Sequence, residues 1–88
     1  MVKVKAVYQL TFPDGKIYIG STEDLLIRLR NHKSNIKRRC YAWYKQVTCT
    51  WDDVAISYIQ VPEDDLLCTE YMCINMTDTD LLYNKLCV

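Results

Sequence analysis

Two tyrosines, an arginine, a histidine and a glutamate have the chemical types and the spacing that acid–base and phosphate chemistry requires. Tyr8 and Tyr18 flank a turn, Arg28 and His32 are four residues apart, and Glu70 lies much further along the chain. The planar guanidinium of an arginine matches the oxygens of a phosphate. A carboxylate that faces a pocket is a hard oxygen ligand for Mg²⁺. The elements that position these five side chains decide whether they act together.

The turn between the two tyrosines predicts that both phenols project from one face of a β-hairpin. The segment Phe12-Pro13-Asp14-Gly15 supplies a type I turn followed by a glycine for the left-handed conformation. The resulting three-residue loop pairs Tyr8 with Gly20 and Tyr18 with Leu10. Aromatic residues on strands commonly serve sheet packing, so packing and a shared pocket remain alternative interpretations of the two tyrosines.

A helix is predicted to carry Arg28 and His32 on one face. Ser21 or Thr22 would cap it, the two acidic residues that follow would occupy its first turn, and it would run to about residue 34. Residues four apart lie one above the other on a helix. A surface arginine and a core histidine are the ordinary alternatives, and the shared face favours a common site.

Glu70 falls on the inward stripe of a second helix, predicted over residues 63–75. Carboxylates are almost never buried without a partner. Two interpretations follow: Glu70 holds Mg²⁺ or Mn²⁺, or it forms a salt bridge with a basic side chain of the first half of the chain.

The charges divide unevenly along the sequence. Residues 1–45 hold ten basic against three acidic side chains, net +7, and the remainder holds one against eight, net −7. This asymmetry favours a basic face that meets phosphates, unless folding mixes the two halves. The predicted nucleic-acid contacts are four basic residues with aromatic residues interleaved for stacking on bases: Lys37, Arg38, Arg39 and Lys45, with Tyr41, Trp43 and Tyr44.

Length and composition predict one domain over residues 1–88, since 50% hydrophobic content suffices for one core. The five cysteines are odd in number and form no C-x-x-C pair, which favours reduced thiols in the cytoplasm. Packing is the better explanation for Cys68 and Cys73. No apolar run approaches membrane-spanning length, so no membrane partner is expected.

The predicted order of elements is a β-hairpin over residues 2–11 and 16–20, a helix, a short helix or ordered loop over 41–47, a strand over 53–61, a second helix, and a last turn capped by Thr77 or Asp78. No internal repeat or low-complexity segment interrupts this order.

Six positions together resemble the pattern of the GIY-YIG nucleases. Ala6-Val7-Tyr8 and Tyr18-Ile19-Gly20 are similar to the two tripeptides that name the family, with Ala6 in place of the usual glycine. Arg28, His32, Glu70 and Asn84 follow in the family's order. The resemblance covers essentially the entire chain and implies an α/β fold of the α+β type, a small three-stranded antiparallel sheet flanked by helices.

The resemblance implies a metal-dependent endonuclease that hydrolyses the phosphodiester bonds of DNA to 5′-phosphate and 3′-hydroxyl ends. Mg²⁺ or Mn²⁺ would be the cofactor, and a second copy or a specificity-giving protein could be a partner. The implied roles are Tyr8 as general base, Tyr18 positioning the water or phosphate, Arg28 stabilising the phosphate, His32 hydrogen-bonding to Tyr8 or phosphate, Glu70 holding the metal and Asn84 orienting Glu70 or the phosphate.

The alternative function is a catalytically silent module of the same fold that binds nucleic acid or protein, with a regulatory or anti-defence role. Such a descendant is expected to have lost a catalytic residue, and all six positions are filled here. The small size also suggests a phage or another mobile element as the source.

Overall fold

The computed structural model describes residues 3–38, 44, 47 and 49–83. Within these residues the chain forms β1 (Ala6–Thr11), β2 (Ile17–Thr22), α1 (Leu25–Arg38), β3 (Ala55–Gln60) and α2 (Leu66–Asn75). Short 3₁₀ turns cover Trp51–Asp53, Glu63–Asp65 and Thr79–Leu81. The predicted order of hairpin, helix, strand and helix is confirmed. The short helix expected over 41–47 falls outside the described residues, except at Tyr44 and Val47.

The hairpin has the predicted register. Tyr8 pairs with Gly20, and Leu10 pairs with Tyr18. Gly15 has a φ of +88°, a conformation in which a side chain is costly and glycine is not. Because this glycine allows the three-residue loop, it also determines that the two phenols share one face of the sheet.

The sheet has three antiparallel strands in the order β2-β1-β3, with β1 in the centre. One face of β1, with Tyr8 and Leu10, packs against Leu25 and Ile36 of α1. The other face packs against α2, through a second cluster of buried side chains: Val7, Ile17, Ile19, Leu66 and Leu82. The predicted α+β architecture, a three-stranded antiparallel sheet flanked by helices, is therefore confirmed.

The start of α1 differs from the prediction. The helix begins at Leu25, and the carboxylate of Asp24 accepts a hydrogen bond from the Ile27 amide at 3.4 Å. Thr22 instead accepts from the Asp24 amide at 3.0 Å. Thus Asp24 is the N-cap, and the expectation of a cap at Ser21 or Thr22 with both following acids inside the first turn was wrong. The physical reason is that β2 extends to Thr22, two residues beyond the predicted end of the strand. The cap of α1 therefore also lies further along the chain.

The end of α1 also lies beyond the prediction of about residue 34. The helix continues to Arg38 and places Lys37 in its last turn. Ile36 is only 1% exposed and belongs to the same core cluster as Leu25. Burial of this isoleucine supports one more turn, and a basic last turn is favourable at the negative end of the helix dipole.

The second helix forms where predicted, but its first turn is a 3₁₀ turn. Residues Glu63–Asp65 adopt the tighter geometry, and α2 starts at Leu66. Glu70 is half-buried on this helix, and Cys73 packs in part against the second core cluster. Cys68 is exposed, so the packing explanation was wrong for that cysteine. No helix of the described residues is long and apolar enough to span a membrane.

The end of the described chain returns to the hairpin loop. Asp78 accepts a hydrogen bond from the Asp80 amide at 3.0 Å, as expected for a cap of the last turn. Tyr83 is 1% exposed and packs edge-to-face on Phe12 with ring centroids 4.8 Å apart. Its hydroxyl donates to the carboxylate of Asp14 at 3.1 Å. This contact fixes the loop that sets the hairpin register.

Candidate active site

The phenol of Tyr8 lies over Gly20, its partner on β2. A β-carbon built at position 20 would be 2.5 Å from Tyr8 Oη and 2.6 Å from Cζ. Real β-carbons essentially never come this close to another heavy atom. Gly20 is therefore needed for space, and the tripeptide Tyr18-Ile19-Gly20 supplies both a tyrosine and the gap that a second tyrosine fills.

His32 lies between two phenols. Tyr8 Oη is 2.6 Å from Nε2, and Tyr44 Oη is 2.9 Å from Nδ1. The histidine is 2% exposed and Tyr8 is equally buried. Both ring nitrogens are therefore hydrogen-bonded, and the contact between the histidine and Tyr8 anticipated from the sequence is present.

Burial fixes the protonation states of this pair. Burial, with the Arg28 charge nearby as a smaller cause, lowers the pKa of His32 to about 4, so the imidazole is neutral at pH 7. Burial raises the pKa of Tyr8 well above its usual value, so its phenol is protonated. A neutral imidazole has one N–H donor and one acceptor. Therefore one of the two phenols donates to His32 and the other accepts from it.

Tyr18 completes an aromatic group around the histidine. Its ring centroid is 5.1 Å from that of His32 and 6.3 Å from that of Tyr8. Tyr18 is half-buried, whereas Tyr8 is enclosed. The prediction that both tyrosines project from one face is confirmed, and Tyr18 is the more accessible of the two phenols.

Arg28 lies one helical turn before His32 and is exposed. Its positive charge acts on the buried pair. It adds to the effect of burial in lowering the pKa of His32, and it offsets part of the rise that burial causes in the pKa of Tyr8. Among the described residues, the Arg28 side chain makes no ion pair or hydrogen bond. The guanidinium is thus free to receive an anion beside the Tyr8–His32 pair.

Glu70, on α2, also acts on the pKa of Tyr8. Its carboxylate is one of the charges that raise the pKa of Tyr8, after burial and the neighbouring tyrosines. In the described part of the chain, the one ion pair joins Lys5 to Glu63 at 3.3 Å. The salt bridge considered as an alternative for Glu70 is therefore not formed there.

Glu70 is the one metal ligand that the sequence predicts. No group of three or more histidine, cysteine or acidic side chains suited to hold a metal occurs among the described residues. Mg²⁺ commonly binds one or two carboxylates and fills its other positions with water and substrate phosphate oxygens. A single half-buried carboxylate fits that mode of binding, and it does not fit a closed structural site.

The two predicted nucleic-acid contacts that the structure describes, Lys37 and Arg38, line different hollows. Arg38 lines a groove together with Arg28, whereas Lys37 lines a separate hollow beside Trp51. Adjacent helical residues diverge by about 100°, which separates the two side chains. Tyr44 is only 7% exposed, so the expectation that its ring stacks on bases was wrong. Four other predicted residues lie outside the described residues: Arg39, Tyr41, Trp43 and Lys45. So does the predicted site residue Asn84.

Ala6 replaces the glycine of the first tripeptide without opening a surface. It is 0% exposed and packs in the same cluster as Tyr8 and Leu10. No ligand could approach this position, so the extra methyl group fills the core and leaves the Tyr8 phenol in place.

Tyr44 is a hydrogen-bond partner of His32 that the sequence did not identify. It lies twelve residues after His32, in a segment without clear periodicity. Buried histidines are nearly always hydrogen-bonded, which predicts a partner for each nitrogen but does not identify it. Only the tertiary fold brings this hydroxyl to Nδ1.

The arrangement can bind an anion at Arg28, move a proton through the Tyr8–His32 contact and offer a carboxylate at Glu70. Neither the comparison with curated proteins nor the comparison with solved structures gives a match. The family model of the GIY-YIG catalytic domain matches residues 4–83, nearly the whole chain. This chain belongs to the GIY-YIG family, whose members are nucleases.

Proposed function

We propose that this chain is a metal-dependent DNA endonuclease that hydrolyses phosphodiester bonds to 5′-phosphate and 3′-hydroxyl ends. The observation that carries the proposal is the group around Tyr8: a buried phenol 2.6 Å from a neutral histidine, with the charges of Arg28 and Glu70 acting on its pKa. Among the described residues, neither of these two side chains forms an ion pair. Both charges act on the pKa of Tyr8, which links the exposed Arg28 and the half-buried Glu70 to the buried pair.

The water that attacks phosphorus loses its proton to Tyr8. Because its pKa is raised, the Tyr8 phenol does not readily lose its proton to form a phenolate at neutral pH. In our proposal the Tyr8 oxygen takes the proton from water while its own hydroxyl proton passes to His32 Nε2. This transfer needs the tautomer in which Nε2 is the acceptor and Nδ1–H donates to Tyr44.

Arg28 binds the non-bridging oxygens of the scissile phosphate, where negative charge grows in the transition state. Burial is the main cause of the low pKa of His32, and the phosphate compensates the smaller contribution of the arginine charge. Substrate binding therefore makes His32 a better proton acceptor. Tyr18, the more accessible phenol, positions the water or the phosphate.

Glu70 is the side chain that would hold Mg²⁺ or Mn²⁺. A bound divalent ion supplies Lewis-acid stabilisation of the leaving 3′ oxygen. This carboxylate is half-buried, and its charge acts on the pKa of Tyr8. Asn84 remains a proposed group that orients Glu70 or the phosphate.

One such site cuts one strand of a duplex. A double-strand break would therefore need a second copy of the chain, a partner protein, or two successive binding events. The first product of cleavage by single chains is expected to be a nicked circle.

The test is cleavage of supercoiled plasmid by purified protein, with Mg²⁺ and with a chelator. Wild type should nick only with the ion, and Glu70→Gln and Tyr8→Phe should nick at least about 100-fold more slowly. Asp64→Asn and Tyr71→Phe are matched controls, because both side chains are exposed on the same part of the chain. These controls should cut like wild type.

The proposal fails if folded wild type binds DNA but never nicks it with any divalent ion. In that case the chain is a binding module on a nuclease fold. It also fails if Tyr8→Phe and Glu70→Gln cut as fast as their controls, since the activity would then come from another site or a contaminant.

A further inference from the structure

One face of α1 is lined by polar side chains that have no structural role among the described residues. Arg28, Asn31, Asn35 and Arg38 recur at intervals of three and four residues, which places them on one side of the helix. With Ser34 and Tyr44 they line an open groove of about 360 Å³. In the described part of the chain, none of the four makes a side-chain hydrogen bond or an ion pair. Polar groups arranged in this way are available to a ligand.

The two ends of this helical face differ in charge. Arg28 and Asn31 also line a second groove, of about 580 Å³, at the start of the helix. Three carboxylates, Glu23, Asp24 and Glu63, line that groove against the single additional cation of Lys3. The first groove contains two arginines and no acid. A polyanion that is bound at Arg28 therefore meets attraction toward Arg38 and repulsion in the other direction.

The acidic end is a dense cluster in which neighbouring carboxyl groups face each other. The neighbouring Glu63 carboxylate raises the pKa of Glu23. Glu63 also forms an ion pair with Lys5 at 3.3 Å. This ion pair compensates the charges of Lys5 and Glu63 together, so Lys5 adds little attraction for phosphates, and Glu23 and Asp24 supply the remaining negative charge of this groove.

We propose that α1 carries a one-sided strand track: Asn31, Asn35 and Arg38 position the nucleic-acid strand on one side of the phosphate at Arg28, and the acidic groove excludes the strand from the other side. This inference rests on the proposed function, because it takes the phosphate at Arg28 as the scissile one. Amide and hydroxyl side chains contact phosphate and sugar oxygens in many protein–DNA complexes and fix the register of the strand.

The length of the track gives a site size. Arg38 follows Arg28 by ten residue steps on the helix, which span about 15 Å. A strand of duplex DNA advances about 3.4 Å per nucleotide. The track therefore covers about four nucleotides on one side of the cut, and few on the other.

The first experiment measures kcat and KM for an end-labelled oligonucleotide with a mapped nick site. Asn31→Ala and Asn35→Ala should each raise KM by about 3- to 10-fold and leave kcat within about twofold, because each loses a hydrogen bond that is made before and during the reaction. Asn75→Ala, an exposed asparagine on the other helix, is the matched control. The track is ruled out if both variants behave like this control.

The second experiment separates charge from positioning by binding in the absence of metal, with fluorescence anisotropy as the readout. Arg38→Gln should reduce the slope of log K against log salt by about 0.7 to 0.9, as expected for one lost phosphate contact. Asn31→Ala and Asn35→Ala should weaken binding without a change in slope. Because no cleavage is needed, these data judge the track even if wild type proves unable to cut DNA.

The third experiment tests the one-sidedness. Substrates are trimmed from either end toward the nick, always keeping the nucleotide that adjoins the cut, and trimming one side down to that single nucleotide should raise KM about tenfold more than the same trimming on the other. The double variant Glu23→Gln/Glu63→Gln should bind more tightly and lose this difference, because the repulsion is removed. Equal sensitivity to trimming on the two sides in wild type would overturn the proposal.

Discussion

The phenol of Tyr8 occupies the space that a side chain at Gly20 would need, with only 2.5 Å between Tyr8 Oη and a β-carbon built on that glycine. The two residues are direct partners on neighbouring strands. Their contact joins the second tripeptide of the family to the tyrosine of the first. A glycine on one strand thus positions the proposed base on the other.

Gly20→Ala should therefore remove activity by displacing Tyr8. The added methyl group should destabilise the fold by about 1–3 kcal/mol, measured by urea denaturation, and should reduce nicking far more than that loss of folded protein explains. Gly15→Ala is the control, since its φ of +88° makes a side chain costly while no atom lies near enough to clash. If both variants are similarly destabilised and both still cut like wild type, the contact is not needed for activity.

The ionisation of His32 gives a pH-dependent prediction that one residue can report. The chain has a single histidine, and burial lowers its pKa to about 4. Its ring signals in NMR should therefore titrate near pH 4, well below the ordinary value of about 6.5. A midpoint near 6.5 would show that the ring is solvated and not held between the two phenols.

The same shift predicts how stability depends on pH. Between about pH 6.5 and 4, His32 is protonated in the unfolded chain and neutral in the folded chain. The free energy of unfolding therefore falls as the pH is lowered, by about 1.4 kcal/mol per pH unit at most. The stability advantage of wild type over His32→Gln, which cannot titrate there, should shrink over this window. Above pH 7 the advantage should be constant, and a difference that is flat throughout would contradict the shift.

The parts of the site that the sequence predicted follow from local rules. The loop of three residues ending in Gly15 fixes the register that brings Tyr8 and Tyr18 to one face. The spacing of four between Arg28 and His32 places them on one helical face whatever the helix packs against. These relationships need no knowledge of the rest of the fold.

The parts that were missed depend on long-range packing. Tyr44 reaches His32 from a segment whose own pattern is weak, and a buried ring with its hydroxyl on the histidine cannot stack on bases. Arg38 was grouped with Lys37 because the two are adjacent in sequence. The helix continues through both, so they point into different hollows.

Tyr44→Phe should separate the support of His32 from the chemistry at Tyr8. The variant leaves Nδ1 of a buried histidine without the Tyr44 hydroxyl, which should cost about 1–3 kcal/mol of stability. Nicking should be slower than in wild type and faster than in Tyr8→Phe, and the His32 ¹⁵N shifts should report an altered tautomer balance. Tyr71→Phe, at a 68% exposed tyrosine, should change neither quantity. Unchanged His32 shifts in Tyr44→Phe would show that the hydroxyl does not select the tautomer.

Arg28→Gln should lower kcat by about 100- to 1,000-fold, because the guanidinium is proposed to bind the charge that develops on the phosphate. The matched variant is Arg30→Gln, which removes the same charge from the same helix at an exposed position that lines a different hollow, beside Leu26 and Leu29. Arg28→Lys keeps the charge but loses the planar fork, so its kcat should fall between those of wild type and Arg28→Gln. If Arg28→Gln and Arg30→Gln lower kcat equally, both arginines contribute only general attraction for DNA, and the transition-state role of Arg28 is lost.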